Sequence, residues 1–340
     1  MVKMNASTYL GNCSEEHFYD TSEFRYTITS VFYSFLFIVG LPVNITSLWF
    51  LVRGKKGVTE IKIYMISLTV ADLLFVIFLP FWIDYSYRKG NWIFSSFMCS
   101  LWGSLFYINT YNTILLLALI SFTRYLAVSQ PVKVAQSTQN VRGFTLTALI
   151  WTTTIGAALP TLINHKQHVI GANGSNLRCF EYYQEEGTKI EVLIIHLVML
   201  LGFIIGFGVV IANSALILRR LSIDKKTLGP SHRLKTRAFR MVLAVLVIYI
   251  VCFLPYHVVH LFWTILVLNF WKPVDCTTRK SVNDVHQVFL CLMCMNCILD
   301  PILYCFLTTS FRQYLNELIQ SCSRKGTTRR SPTLQEIQLS

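Results

Sequence analysis

The sequence predicts an all-α integral membrane protein, a bundle of seven transmembrane helices with a short amphipathic eighth helix. Of its 340 residues 54% are hydrophobic and only 14% are charged, whereas a typical soluble domain has about 25% charged residues. The apolar residues also form seven runs, each long enough as a helix to cross the hydrocarbon core of a bilayer. These runs lie near 27–52, 61–86, 97–128, 141–163, 189–220, 236–267 and 282–307.

The basic residues are concentrated on one side of the predicted membrane. Of the 30 Lys and Arg residues, 20 fall on the side of the carboxyl terminus, together with only four acidic residues. By the positive-inside rule this side is cytoplasmic, which predicts a multi-pass plasma-membrane protein with an extracellular amino terminus. The net charge of +13 therefore reflects topology and does not indicate nucleic-acid binding. The glycosylation sequons at Asn5, Asn12 and Asn173 all lie on the predicted extracellular side.

Four regions follow from this pattern. Residues 1–26 are a polar extracellular tail, and residues 27–307 form the seven-helix transmembrane domain. Residues 308–322 repeat apolar residues at helical spacing, which predicts an amphipathic helix on the membrane surface. Cys322 at its end is a candidate for palmitoylation. Residues 323–340 have the composition of a disordered cytoplasmic tail.

The second and seventh spans each contain a carboxylate, Asp72 and Asp300. An acid at this depth costs several kcal/mol and needs a polar partner or an ion. Thr113 and Asn296 are predicted to reach a similar depth, and this mixture of carboxylates, hydroxyls and amides suits a small hard cation. We therefore expect an allosteric sodium ion at Asp72, Thr113, Asn296 and Asp300; the alternative is that the acids only bind neighbouring helices.

The third span reaches from one membrane face to the other. It runs 25 residues from Cys99 to Arg124, and as a helix this is roughly 37 Å long. A helix with a thiol at its outer end and an arginine at its inner end is suited to transmit a signal from one membrane face to the other. The alternative is a buried span that happens to end in an arginine.

Prolines are placed to bend several of the helices. The four in question lie within spans two, four, six and seven: Pro80, Pro160, Pro255 and Pro301. Each removes a backbone hydrogen bond, and the resulting bend makes room for a cavity or a hinge. We expect the sixth span to pivot at Pro255.

Four of the ten cysteines lie on the predicted extracellular side. A Cys99–Cys179 disulfide would hold the loop between the fourth and fifth spans over the bundle. Cys13 and Cys276 could pair and tie the amino-terminal tail to the last outer loop. The sequence shows neither a zinc-ligand spacing nor a catalytic triad, so we do not expect an enzyme.

Several motifs resemble those of the rhodopsin-like G-protein-coupled receptors, over about residues 27–320. They are LTVAD, FTRY, Trp151, CFLP and NCILDPILY, in this order and with the Cys99 and Cys179 pair. The resemblance implies that Arg124 engages a heterotrimeric G protein when the sixth helix swings outward, and that Tyr304 stabilises the swung state. It also implies that receptor kinases and arrestin act at the tail.

Two departures from the family pattern concern the switch. Thr123 replaces the usual acid before Arg124, so an ionic latch cannot form from that position and the inactive state should be weaker. Phe253 replaces the usual tryptophan of the sixth helix.

The outer half of the predicted bundle is rich in aromatic residues and histidines. The outer part of the third span has no acid to bind an amine, and the seventh has no lysine to carry retinal. Aromatic faces bind quaternary ammonium groups, and histidine and glutamine can donate hydrogen bonds to a phosphate. A lipid with a phosphocholine head needs both. For each histidine, the alternative is a contact with lipid headgroups or backbone carbonyls.

A second group of motifs, including GNWI, FYINTY, RCFEYY and NDVHQVFLCL, resembles the ether-phospholipid receptors of the same family. This resemblance implies a ligand-binding set of Trp82, Phe106, Tyr111, Glu181, His196, His257, Trp263 and Gln287. Apart from the sodium ion, no cofactor is expected.

Three other functions stay open at this point. A purinergic nucleotide receptor would need several outward-facing Arg or Lys residues in spans three, six and seven, and these are absent. A proton or metal sensor could use the histidines. A transporter belongs to a different class, and the chain has no evident internal repeat or paired broken helices to support it.

Overall fold

Seven long helices make up almost all of the described part of the chain. The structure, a computed structural model, describes residues 23–53, 58–132, 139–163, 167–170, 176–179, 186–223, 230–267 and 276–307. The first five helices are α1 (Glu23–Arg53), α2 (Glu60–Tyr87), α3 (Ser96–Ser129), α4 (Gln139–Ile163) and α5 (Glu186–Ile223).

The sixth and seventh helices are each interrupted. In α6 a π-helical turn, Tyr249–Phe253, joins two α-helical segments, Pro230–Ile248 and Leu254–Val267. In α7 a single residue separates Cys276–Cys294 from Asn296–Leu307.

Each of the seven helices contains a stretch that is long and apolar enough to cross a membrane, which confirms the predicted bundle. The first helix begins at Glu23, four residues before its predicted start. A carboxylate in the first turn stabilises the positive end of the helix dipole, and Glu23 also forms an ion pair with Lys89 after α2 (2.5 Å). The predicted eighth helix, Cys322 and the cytoplasmic tail lie outside the described residues.

The centre of the bundle is α3. It packs against α2, α4, α5 and α6, and its apolar stretch is the most buried of the seven. Its buried positions include small and polar residues, such as Gly103, Ser104 and Thr113, which allow neighbouring helices to approach closely. This placement lets α3 contact both the outer and the inner ends of the bundle.

The predicted prolines lie inside helices. Pro80, Pro160 and Pro301 are within α2, α4 and α7. Pro255 follows the π turn of α6 by two residues. Because proline has no N–H group, the carbonyl four residues earlier loses its helical partner, and a π turn is one way in which a helix accommodates such a break. The π turn and Pro255 therefore lie where the sequence predicts a hinge in the sixth helix.

A short antiparallel hairpin lies between α4 and α5. Its strands are β1 (Gln167–Ile170) and β2 (Asn176–Cys179). The main-chain N–H of Trp92, in the loop between α2 and α3, donates to the carbonyl of Leu177 (2.8 Å). The hairpin is thereby attached to the loop that leads into α3.

The predicted disulfide between Cys99 and Cys179 is present. Both cysteines are fully buried, and the main-chain N–H of Cys179 donates to the Tyr85 hydroxyl (3.5 Å). The disulfide joins β2 to the start of α3 and confirms that pair. The other predicted pair, Cys13 and Cys276, lies outside the described side chains, and the sequons at Asn5, Asn12 and Asn173 lie outside the described residues.

Candidate ligand site and signalling end

The bundle has two functionally different ends, defined by landmarks on α3. The outer half is the half nearest the Cys99–Cys179 disulfide, and the inner half is the half nearest Arg124. The outer half contains two adjoining cavities, with volumes of about 880 Å³ including the open mouth and about 460 Å³. Residues that line both are Phe106, Tyr107, His196, Tyr256 and His260.

The larger cavity has a wall of stacked aromatic rings. Trp82 of α2 and Trp102 of α3 lie face to face, with ring centroids 3.8 Å apart and an interplanar angle of 4°. Tyr85 and Phe106 extend the wall, at 4.7 Å from Trp82 and 6.0 Å from Trp102. The sequence prediction included Trp82 and Phe106 but missed Trp102. The signal was available, because Trp102 lies four residues before Phe106 and so shares its helix face.

Three histidines from different helices meet where the cavities join. His260 Nδ1 of α6 is hydrogen-bonded to His286 Nε2 of α7 (2.8 Å). The ring of His196, from α5, lies 4.2 Å from the ring of His260, and its Nδ1 is hydrogen-bonded to the Thr264 hydroxyl (2.9 Å). The structure thus places His196 among polar partners inside the bundle and not against lipid.

His257 lies on the floor of the smaller cavity. Its Nδ1 is 2.8 Å from the carbonyl of Phe253 and its Nε2 is 3.5 Å from the Tyr111 hydroxyl. Because a carbonyl can only accept, Nδ1 donates, and in the neutral ring Nε2 then accepts from Tyr111. The ring also stacks on Phe203 at 4.1 Å. Both nitrogens are therefore engaged within the protein.

Gln287 and Trp263 line the larger cavity. The Trp263 indole N–H donates to Asn283 Oδ1 of α7 (2.6 Å). The buried Gln287 Nε2 makes no hydrogen bond within the described part of the chain, which leaves a donor for a ligand. Glu181, the remaining predicted ligand residue, lies outside the described residues.

The two intramembrane acids have different surroundings. Asp72 Oδ1 accepts a hydrogen bond from Asn109 Nδ2 of α3 (2.9 Å), a partner that the sequence prediction missed. Asn296 Nδ2 of α7 donates to the Thr113 hydroxyl (3.4 Å). Within the described chain, Asp72 Oδ2 and both carboxylate oxygens of Asp300 make no hydrogen bond. Buried carboxylate oxygens without a hydrogen-bond donor are unusual in proteins, and the sodium ion expected at these residues stays a prediction.

The inner end of α3 contacts α6. Arg124 Nε donates to the Met241 thioether (2.9 Å), and the preceding Thr123 is buried. A thioether is a weak, uncharged acceptor. Because residue 123 is a threonine and not an acid, it cannot form an ion pair with Arg124. Within the described residues, the contact of Arg124 with α6 is therefore this weak hydrogen bond to Met241. Tyr304 lies in the second segment of α7. Its side chain is outside the described part of the structure, so its role stays a prediction.

A partly buried ion pair joins α2 to α4 at the same end. Glu60 accepts from Arg142 through both carboxylate oxygens, at 2.9 Å from Nε and 2.5 Å from Nη2, and from the Tyr64 hydroxyl at 2.6 Å. Gly143 permits this contact, since a Cβ there would lie 3.2 Å from the Glu60 Cα. Sequence reasoning missed the pair, although the i, i+4 spacing of Glu60 and Tyr64 was visible.

The hinge region of α6 is tied to α3. The Tyr249 hydroxyl at the start of the π turn donates to the main-chain carbonyl of Ile114. Gly206 of α5 lies at the same level, where a Cβ would be 2.9 Å from the Ile114 side chain. Three helices thus meet between the cavities and Arg124.

A seven-helix membrane bundle with cavities at one end, a hinged helix below them and a partly buried arginine at the other end is the architecture of a membrane receptor. The chain matches the 7 transmembrane receptor (rhodopsin family) model over residues 43–304. The protein belongs to this family and is a G-protein-coupled receptor, not an enzyme. The predicted class is confirmed, and the transporter alternative is wrong.

Three relatives indicate where the chain lies within the family. It is 42% identical over 324 residues to the platelet-activating factor receptor of Capra hircus, covering 93% of each chain. It is 40% identical over 323 residues to that of Homo sapiens, again covering 93% of each. It is also 31% identical over 296 residues to the G-protein coupled receptor 68 of Mus musculus, covering 87% of this chain and 78% of the relative.

Proposed function

We propose that the protein is a plasma-membrane receptor for a phospholipid mediator with a phosphocholine head, of the platelet-activating factor type. In this proposal the amino terminus is extracellular, so the ligand enters the outer half and the heterotrimeric G protein binds the inner half at Arg124. The observation that carries the proposal is a single cavity with an aromatic wall on one side and polar donors on the other. The names of the relatives support the same ligand class.

Different parts of the cavity lining suit different parts of such a ligand. A quaternary ammonium is attracted to aromatic faces by about 0.5–2 kcal/mol, which places the choline at the wall that includes Trp82. The phosphate needs hydrogen-bond donors, which Gln287 supplies. The apolar chain points towards the smaller cavity, whose lining includes Leu193, Leu197 and Leu261. That cavity has room for only about one water molecule here, so it must widen to admit the chain.

The nearest competing function is proton sensing, favoured by the cluster of His196, His260 and His286. An unperturbed histidine titrates near about pH 6.5, so acidification alone would activate such a receptor. A dose–response to platelet-activating factor at neutral pH, beside a pH ramp without lipid, separates the two functions. Silence with the lipid and activation by acid would overturn the phospholipid proposal. A metal sensor has less support, since no group of three or more ligating side chains in the described part of the chain, this histidine cluster included, is placed to hold a metal ion.

Removing the Gln287 amide is expected to weaken lipid binding. Gln287→Leu keeps the approximate size of the side chain but removes a donor to the phosphate, and such a bond contributes about 1.5–3 kcal/mol. We expect the Kd to rise roughly ten- to hundredfold, measured by saturation binding of labelled platelet-activating factor. Unchanged affinity in Gln287→Leu would remove this residue from the site.

His257 is expected to act through the shape of the cavity floor. His257→Ala removes the stacking on Phe203 and the bond to Tyr111, so binding should weaken roughly tenfold or more. His257→Phe keeps the ring and should recover most of that loss. If His257→Phe binds as poorly as His257→Ala, the hydrogen bond and not the packing is what the ligand site requires.

We also propose that Asp72 and Asp300, with Thr113 and Asn296, bind a sodium ion that favours the inactive receptor. A bound cation would neutralise the carboxylate oxygens that lack hydrogen-bond donors. Replacing sodium by a bulky organic cation should then raise agonist affinity in membranes, and Asp72→Asn should abolish the difference. Equal agonist affinity in both salts for the unmodified receptor would contradict the site.

Three further proposals concern segments outside the described residues. Receptor kinases and arrestin act on the Ser- and Thr-containing tail, Cys322 is palmitoylated, and Asn5, Asn12 and Asn173 are glycosylated. The tail has serine or threonine at 323, 327, 328, 331, 333 and 340, which gives kinases several acceptors. Mass spectrometry of the receptor from stimulated and resting cells tests all three modifications.

A further inference from the structure

Arg25, in the first turn of α1, lines the larger cavity. Among the described residues it contributes the one Lys or Arg side chain in the lining of either cavity. The sequence prediction considered helices three, six and seven as sources of positive charge and found none. The cation comes from α1, a helix that was not assigned to the site.

The Arg25 side chain is held at the cavity by Tyr26. Its Nη2 donates to the Tyr26 hydroxyl at 2.7 Å, and the guanidinium lies 4.6 Å from the centroid of the Tyr26 ring. Arg178, the residue before the disulfide cysteine of β2, donates to the same hydroxyl at 2.5 Å. Two guanidinium groups therefore converge on one phenol oxygen at the mouth of the cavity.

The second guanidinium is fixed by the backbone around it. Arg178 is 7% exposed, and its Nη1 also donates to the carbonyl of Lys89 at 2.8 Å. Gly90, with φ of +84°, makes this approach possible, because a Cβ there would lie 1.8 Å from the same Nη1. The turn after α2 is thus shaped around the Arg178 side chain, and the positive charge at this mouth does not depend on a mobile surface residue.

The helix packed beside α1, α7, presents matching polar groups to the same cavity. Asn283, His286 and Gln287 line it, and the buried Gln287 Nε2 makes no hydrogen bond within the described chain. A guanidinium and an amide donor that line the same cavity are suited to an oxyanion, because arginine forms paired, charge-assisted hydrogen bonds to phosphate oxygens. The guanidinium has five N–H donors, so it can bind a phosphate and keep hydrogen bonds to the protein as well.

We propose that Arg25 binds the phosphate of the ligand between α1 and α7, and that this contact selects phospholipids over neutral lipids of the same chain length. The inference rests on the proposed phospholipid function and adds a specificity-determining residue to it. It also places the phosphate nearer to the mouth than the floor at His257, so that the choline lies beside the Trp82 and Trp102 wall.

The test compares three variants of the full-length receptor at matched surface expression. Arg25→Gln removes the charge, Arg25→Lys keeps it without the fork, and Arg88→Gln is the control. Arg88 lies at the same end and is half exposed, with its ion pair to Asp84 within α2 and the following turn. Labelled platelet-activating factor is the probe, and a neutral alkylacetylglycerol, which lacks the phosphocholine, is the competitor.

We expect Arg25→Gln to raise the Kd for platelet-activating factor about ten- to hundredfold. Arg25→Lys should lie between Arg25→Gln and the unmodified receptor, and Arg88→Gln should bind normally. The inhibition constant of the neutral lipid, corrected for the affinity of the probe in each receptor, should be the same in all four receptors. Unchanged affinity of Arg25→Gln for the phospholipid overturns the inference, and so does an equal loss for both lipids, which would indicate a general structural defect.

A failure of the proposed phospholipid function can be distinguished from a failure of the Arg25 inference. If the unmodified receptor does not bind platelet-activating factor, the phospholipid proposal falls, and Arg25 is then judged by thermal unfolding of the purified receptor in neutral detergent with inorganic phosphate. Stabilisation that Arg25→Gln abolishes and Arg88→Gln retains supports an oxyanion site at Arg25. Stabilisation that is equal in all variants, or absent from the unmodified receptor, overturns it.

Discussion

Arg124→Ala should abolish G-protein activation while ligand binding stays close to that of the unmodified receptor. Arg124 lies at the inner end of α3 and contacts α6 through Met241, whereas both cavities are lined by residues of the outer half. The substitution therefore removes the cation that we propose engages the G protein, without touching the ligand site. Nucleotide exchange on a purified heterotrimer and saturation binding, both on the same membranes, measure the two effects.

Arg53→Ala is the matched control for this prediction. Arg53 is an exposed cation at the inner end of α1 and lies 3.7 Å over the ring of Trp49. Its loss should leave activation largely intact. Full activation by a well-expressed Arg124→Ala receptor would contradict the role of this arginine.

The neighbouring Thr123 offers an independent measurement. Because the thioether of Met241 is a weak acceptor, the contact that holds Arg124 in the present arrangement is weaker than an ion pair would be. Thr123→Asp should supply such a pair and lower agonist-independent signalling. Basal activity that is unchanged by Thr123→Asp would show that the missing acid does not set the inactive state.

Loss of the Cys99–Cys179 disulfide is the second change with a large expected effect. The bond closes a loop with a sequence separation of 80, for which the chain-entropy model gives about 4.5 kcal/mol of stabilisation. It also holds β2, and with it Arg178, at the mouth of the larger cavity. Cys99→Ala and Cys179→Ala should each lose most surface expression and ligand binding, measured by flow cytometry and saturation binding.

The double variant and a third cysteine provide the controls. Since either single change breaks the same bond, Cys99→Ala with Cys179→Ala together should be no worse than one alone. Cys291 is buried but forms no disulfide in the described structure, so Cys291→Ala should cost far less. Normal ligand affinity in either single disulfide variant would show that the hairpin keeps its position without the bond.

The positions of the seven helices could be predicted because the bilayer imposes a simple rule on the chain. A crossing helix must satisfy its own backbone and present about 20 mainly apolar residues to lipid, and this pattern is visible along the sequence. The ends were less accurate: α1 begins at Glu23 and α5 at Glu186, before the apolar runs start. Hydropathy detects the part of a helix in lipid and not its polar first turn.

The character of the ligand site was also visible in part. Trp82, Phe106, His196 and Gln287 were predicted from the resemblance of their motifs to those of the ether-phospholipid receptors, and all four line the cavities. Cys99 and Cys179 could be paired because both were expected on the same side of the membrane. The sequence thus determined the class of receptor, the disulfide across its mouth and the mixed aromatic and polar chemistry of its cavity.

Only the tertiary structure decided which side chains face one another. Arg25 and Trp102 entered the site, Asn109 became the partner of Asp72, and Glu60 met Arg142 across a separation of 82 residues. Hydropathy indicates where a helix crosses the membrane. It does not specify how the helix is rotated about its axis or which helices it packs against. Those are set by close packing at small residues and by hydrogen bonds between helices, which depend on residues far apart in the chain and exist only once the helices have assembled.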